Sequence, residues 1–159
     1  MLPIHRKPTS WDLYFIEMAT LVSSKSKDTS TKVGAVIVGS GNEILTTGFN
    51  GFPRGIDEES LERWERPEKY DWIVHAEANA IANAARIGVP LLGSTLYMNF
   101  MPTPCSRCTG LLIQAGIRKI IGPDITFSGV GAGTFYDVDI ISETMLNEIS
   151  MERYIIDKE

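Results

Sequence analysis

The chain holds two histidines and two cysteines in 159 residues, and three of those four fall in two short words. The words are His75-Ala76-Glu77 and Pro104-Cys105-Ser106-Arg107-Cys108. His75, Cys105 and Cys108 offer one imidazole and two thiolates, a donor set suited to zinc. Structural zinc sites are closed by four protein ligands, whereas catalytic ones keep a coordination position open. Three ligands with the carboxylate of Glu77 two residues from the histidine therefore read as a catalytic metal centre. Taken alone, the Cys105-x-x-Cys108 spacing also fits a redox pair or half of a zinc ribbon. The two words together favour a catalytic metal.

The elements that must position these groups are legible from pattern. Residues 10–24 form an amphipathic first helix, with Thr9 and Asp12 in a capping-box pattern and Trp11, Tyr14, Phe15, Met18 and Val22 sharing a face. Residues 25–32 are a polar connection. Residues 33–38 are expected as a buried strand, 39–42 as a hairpin turn and 43–47 as the return strand. Residues 49–72 read as a long loop anchored by Trp64 and Trp72. An alanine-rich helix over 76–87 is opened by His75 and stopped by Gly88 and Pro90. There follow a strand at 95–99, a tight connection at 101–104, a helix at 105–115 and a strand at 117–121. Residues 124–138 are glycine-rich and loop-like, and 142–154 are expected as a terminal helix. The order α-β-β-α-β-α-β-α implies a mixed sheet with helices on both faces. Both chemical words open helices, whose partial positive charge at the N-terminus favours thiolate over thiol.

Composition narrows the function classes. Length fits a single catalytic domain over residues 1–159, with a core that needs no disulfide staples. Hydrophobic content of 43% and charged content of 22% are those of an ordinary globular protein. No apolar run approaches the ~20 residues of a membrane span. Basic residues near the N-terminus precede no apolar signal-peptide segment. Cysteines confined to one metal-type spacing suggest a reducing compartment, and the cytoplasm is expected. A net charge of −5 with scattered basic residues argues against a grip on nucleic acid. The short group Lys25, Lys27 and Lys32 suits one phosphate, so a small anionic substrate is expected. His5 reads as tail.

The pairing of His-x-Glu with Pro-Cys-x-x-Cys resembles the zinc-dependent nucleobase deaminases. From about Trp11 to Ile121 the chain is similar, more narrowly, to the deoxycytidylate (dCMP) deaminase family. The similarity is carried by Thr31-Lys32-Val33-Gly34-Ala35-Val36-Ile37-Val38, by Gly48-Phe49-Asn50-Gly51-Phe52-Pro53-Arg54-Gly55, by HAEANAIANAAR from His75, and by Gln114-Ala115-Gly116-Ile117. Phe49 stands where the family usually has tyrosine, and the loop before His75 lacks the extra Cys or His of relatives with a second zinc. The resemblance implies a cytidine-deaminase-like three-layer αβα sandwich with a mixed central sheet. It further implies hydrolysis of dCMP to dUMP and ammonia, supplying dUMP for thymidylate synthesis. In that reading His75, Cys105 and Cys108 hold one zinc, while Glu77 moves protons from water to cytosine N3 and then to the departing amine. Ala76 N–H would meet the base O2, and the Thr103 carbonyl the amino group.

Other residues keep two readings. Asn50 is either a plain turn residue or an amide that meets the deoxyribose and lies near an effector site formed with Gly48, Gly51 and Arg54. Lys25 and Ser26 either cradle the substrate phosphate or decorate a helix C-terminus. Tyr136, with Phe135, offers a stacking face or minor core. Arg86 resembles a family arginine placed toward an interface or effector site. The family implies a homohexamer activated by dCTP carried with Mg2+ and inhibited by dTTP. Deaminases of free cytidine, guanine or tRNA fit less well, as do a non-catalytic nucleotide sensor and a structural zinc module. Retention of Glu77 and the three-ligand count weigh against the last two.

Overall fold

Every residue of β1, Gly34–Val38, is buried, because the strand is covered on both faces. Side chains alternate across a strand, so Ala35 and Ile37 enter one core while Val36 and Val38 enter another. The computed structural model describes residues 10–100, 102–123 and 139–156. Within them one five-stranded sheet runs in the order β2-β1-β3-β4-β5, with β2 at Ile44–Phe49, β3 at Thr95–Met98, β4 at Lys119–Pro123 and β5 at Glu152–Ile156. Strand β1 is antiparallel to β2 and β3, whereas β3, β4 and β5 are parallel. Parallel neighbours require crossovers. Helix α4 (Ser106–Ala115) and helix α5 (Ile140–Glu148) supply them.

Helix α1, Trp11–Ser23, lies on one face of the sheet, where Phe15, Ile16 and Ala19 pack on Val36, Val38, Tyr97 and Ile121. Its N-cap is Ser10, whose hydroxyl accepts from Leu13 N at 3.3 Å, not Thr9, which lies outside the described residues. The buried stripe is also rotated from the expected one. Ile16 and Ala19 are inside, while Trp11 and Tyr14 are 57% and 42% exposed. On the opposite face α3 (Ala76–Ile87), α4 and α5 bury Ala76, Ala80, Ala84, Leu112 and Leu146 against Ala35, Ile37, Leu96, Met98 and Ile120. The expected three-layer αβα architecture is therefore present.

The region read as a long loop carries local order. A 3-10 turn at Leu61–Trp64 and the short helix α2, Lys69–Trp72, interrupt it. Phe52 stacks on Trp64 at 4.1 Å, and Arg63 lies over the Trp72 ring at 4.2 Å, so both tryptophans anchor the segment as expected.

The largest correction falls at the C-terminal end. The helix expected over 142–154 stops at Glu148, and the chain continues as β5, parallel to β4. Ser150 adopts φ 54, Met151 N donates to Leu146 O at 2.9 Å, and Ser150 N donates to Asn147 O at 3.1 Å. This is a Schellman-type ending with serine at the left-handed position. The usual glycine stop signal is absent, which is why the pattern ran on.

Candidate active site

Two helix starts bring the ligands together. His75 is the N-cap of α3 with φ −67 and ψ 155, and Cys105 is the N-cap of α4 with φ −66 and ψ 162. Both residues are extended where the helix begins, so their side chains reach past the first turns. Cys108 sits one turn into α4. The His75 Nδ1 lies 3.5 Å from the Cys105 Sγ and 3.5 Å from the Cys108 Sγ. One nitrogen and one sulfur on a tetrahedral zinc, with bonds of about 2.0 and 2.3 Å, stand about 3.5 Å apart. The three donor atoms therefore fit a zinc ion in both chemistry and spacing.

The electrostatics agree with a charged cluster. Hydrogen bonding from Cys108, aided by His75 and opposed by burial, brings the Cys105 thiol down to about 4. Cys108, which gives that bond and is buried, is held well above the ordinary thiol range. The Cys105 sulfur pulls the His75 pKa up, with Glu77 adding to it. Zinc would displace the protons on Cys108 and His75. Glu77 is 5% exposed, and burial raises its carboxyl pKa while the charge of His75 opposes the shift. A carboxyl of raised proton affinity beside a metal set is suited to proton transfer.

Helix α3 sits on the edge strand β2 at very close range. A Cβ on Gly48 would fall 2.3 Å from Ala76 O and 2.4 Å from Ala80 N, both backbone atoms. Thr46 Oγ1 donates to Ala80 O at 2.9 Å, Asn83 Nδ2 to Thr47 O at 2.7 Å, and Asn79 Nδ2 to Phe49 O at 2.7 Å. Gly48 is thus buried under the helix that carries His75 and Glu77, and does not form an open surface for an effector. Gly48→Ala is expected to cost at least the ~1–3 kcal/mol of ordinary overpacking. Thermal melting and metal stoichiometry should fall together, and unchanged values for both would contradict this account of α3.

The remaining expected site residues separate clearly. Ala76 is fully buried in the first turn of α3, where N–H groups lack helical partners, and Thr103 is exposed just before Pro104. Gly51 is buried and pairs with Val74, through Gly51 N to Val74 O at 3.1 Å and Val74 N to Gly51 O at 2.8 Å, which ties its loop to the residue before His75. Arg54 donates to Asn83 Oδ1 at 2.7 Å on α3, and Arg86 is exposed near the end of that helix. The Ser26 hydroxyl is not offered to a phosphate. It is 2% exposed, donates to Asn50 O at 2.7 Å and accepts from Asp28 N at 3.2 Å. Lys27, itself exposed, pairs with Glu58, Lys32 Nζ donates to Ser26 O, and Lys25 is exposed. Tyr136 lies outside the described residues.

Sequence reasoning missed the network around Asn50. Its Nδ2 donates to Thr31 O at 2.8 Å and to Asp28 Oδ2 at 3.4 Å, and its Oδ1 accepts from Val33 N at 2.8 Å. Both amide hydrogens are committed, so one lone pair of Oδ1 remains for a ligand. Asp28 in turn pairs with Lys69 Nζ at 2.8 Å, with both side chains nearly fully buried. Among loop charges that look solvated, nothing but an Asx-turn pattern at Asp28 hinted at this.

A three-layer α/β protein that presents one imidazole and two thiolates from two helix starts, beside a buried carboxyl, is built to hold a metal next to a proton carrier. The chain belongs to the family described as cytidine and deoxycytidylate deaminase zinc-binding region, which matches residues 9–122. It is 39% identical over 117 residues to deoxycytidylate deaminase of Homo sapiens, covering 70% of this chain and 63% of that protein. It is 39% identical over 122 residues to the probable deoxycytidylate deaminase of Drosophila melanogaster, covering 70% and 58%. The chain thus spans roughly three fifths of the length of these curated relatives. The crystal structure of the dCMP deaminase from cyanophage S-TIM5, in complex with dCMP and dUMP, aligns with a TM-score of 0.72 at 26% identity, covering 96% of this chain and 100% of that one. Among the described residues, no helix is long and apolar enough to cross a membrane.

Proposed function

We propose that the chain catalyses the zinc-dependent hydrolytic deamination of dCMP to dUMP and ammonia. The observation that carries this reading is the His75, Cys105 and Cys108 triangle with Glu77 buried beside it. The names of the relatives, and the nucleotides held by the cyanophage enzyme, support the substrate. Zinc bound by the three ligands supplies a hydrolytic nucleophile at neutral pH by acidifying water.

The chain's own residues take the remaining steps. Glu77 accepts a proton from water as oxygen adds to C4, and passes it to N3 of the base. It then carries the second water proton to the 4-amino group, the C4–N bond breaks, and ammonia leaves with a C4 carbonyl formed. The carboxylate is regenerated, so one group serves as base and acid. The Ala76 N–H donates to the base O2, and the Thr103 carbonyl accepts from the amino group. Asn50 meets the sugar through the free lone pair of Oδ1, Lys25 meets the 5′-phosphate, and Tyr136 stacks on the base. The dUMP formed feeds thymidylate synthesis. Regulation by dCTP with Mg2+ as activator and dTTP as inhibitor, in a cytoplasmic homohexamer, completes the reading. Its support in this chain is that Gly51 and Arg54 are bonded to Val74 and to α3, so an effector there bears on His75.

Ammonia release from dCMP, deoxycytidine, CMP and cytidine, each with and without dCTP and Mg2+, tests the proposal. The expected result is turnover of dCMP well above the other three. Preference for an unphosphorylated nucleoside would overturn the substrate assignment. Absence of turnover by zinc-loaded protein on all four would overturn the activity.

A further inference from the structure

The segment beyond residue 122, outside the family match, reaches back to the start of α4. Asp139 is the N-cap of α5, and its Oδ1 accepts from Ser142 N at 3.0 Å. Its Oδ2 accepts from Ser106 N at 2.6 Å, so one carboxylate serves two helix starts. Ser142 Oγ donates to Pro104 O at 2.7 Å. A hydroxyl has one hydrogen. With that of Ser142 spent on Pro104, Thr109 gives its own to Ser142 Oγ at 2.6 Å, its oxygen also standing 3.4 Å from Pro104 O. Thr109 and Ser142 are 0% and 2% exposed.

These bonds fall on the two peptide groups that flank Cys105. The group before it carries Pro104 O, and its orientation sets φ of Cys105. The group after it carries Ser106 N–H, and its orientation sets ψ. Fixing both leaves the sulfur a single free rotation, about χ1. We propose that Asp139 and Ser142, backed by Thr109, are positioning residues that clamp Cys105 in the geometry of a metal ligand. The proposal rests on the zinc reading of the site. Partners of this kind around a metal ligand typically change affinity by about 10–100-fold when removed.

Two variants separate a ligand clamp from plain helix packing. Asp139→Asn keeps an oxygen to cap α5, since asparagine caps as well as aspartate, but its amide cannot also accept from Ser106 N. Ser142→Ala removes the shorter hydroxyl bond to Pro104 O and leaves the 3.4 Å contact from Thr109. Thr144→Ala, which loses a hydroxyl bond to Ile140 O on the exposed side of α5, is the control. Zinc affinity is read by chelator competition, and thiolate ligation by the charge-transfer absorption of the Co2+-substituted protein. Asp139→Asn and Ser142→Ala should lose about 10–100-fold in zinc affinity and alter the cobalt–thiolate band, with Thr144→Ala unchanged. Wild-type affinity and spectrum in Asp139→Asn would overturn the clamp, whatever the melting temperatures. That variant decides the matter if Ser142→Ala fails to fold. Absence of zinc binding by the wild-type chain would instead refute the metal reading and the clamp with it.

Discussion

Replacing Glu77 by glutamine is expected to leave zinc bound and to lower kcat/KM on dCMP by about 10²–10⁴-fold, the usual contribution of a positioned acid–base group. Glutamine keeps the size and the hydrogen-bonding reach of the buried side chain, and none of His75, Cys105 and Cys108 is touched. It cannot take a proton from water or return one to an amine. Metal analysis and ammonia release on the same preparation read the two halves separately. Zinc retained with activity intact would remove Glu77 from the mechanism. Loss of zinc would show instead that the carboxylate helps to hold the site together.

The second large effect is on stability. Lys69 is 3% exposed, and its ammonium faces Asp28 and the Ser30 hydroxyl. Removing one member of a buried ion pair typically costs about 3–5 kcal/mol, because the other charge is left without compensation. Asp28→Asn and Lys69→Met are each expected to lose that much in denaturant unfolding. The double variant should lose much less than their sum. Burial alone would raise the Asp28 carboxyl, but Lys69, the Ser30 N–H and hydroxyl, and the Thr31 N–H outweigh it and hold the pKa below its ordinary value. A depressed carboxyl stabilises the fold above its unfolded pKa of about 3.9 and loses that contribution as pH falls through the lower folded value. Wild-type stability should therefore drop below about pH 4 more steeply than that of Asp28→Asn. Equal acid slopes, or additive losses in the double variant, would show that the pair contributes little. Lys69 lies in α2, shortly before His75, so the pair also seats the approach to the metal ligands.

The metal words could be read in advance because histidine and cysteine are scarce here, and each word opens a helix whose start is marked by its neighbours. The two-sided burial of β1 and the glycine ends of α3 and α4 were likewise local signals. What stayed hidden depended on partners distant in the chain. Lys69 reads as one more loop charge until Asp28, 41 residues earlier, is found beside it. Ser142 reads as a helix residue until its hydroxyl is seen on Pro104, 38 residues before. Gly48 and Ser26 were legible as special positions, but their purpose was not. Each is occupied by protein, α3 in one case and the Asn50 loop in the other. Strand β5 was missed because Ser150 takes a left-handed turn that composition assigns to glycine.

The reach of α5 back to the start of α4 has a consequence for when the metal centre matures. A chain leaving the ribosome has all three ligands in hand at Cys108, yet Asp139 and Ser142 are still to be made. At synthesis rates of about 5–20 residues per second, that gap lasts roughly two to seven seconds. On the proposed clamp, docking of α5 is the step that fixes Cys105, so the full ligand set is present in the chain before the residues that hold it in place.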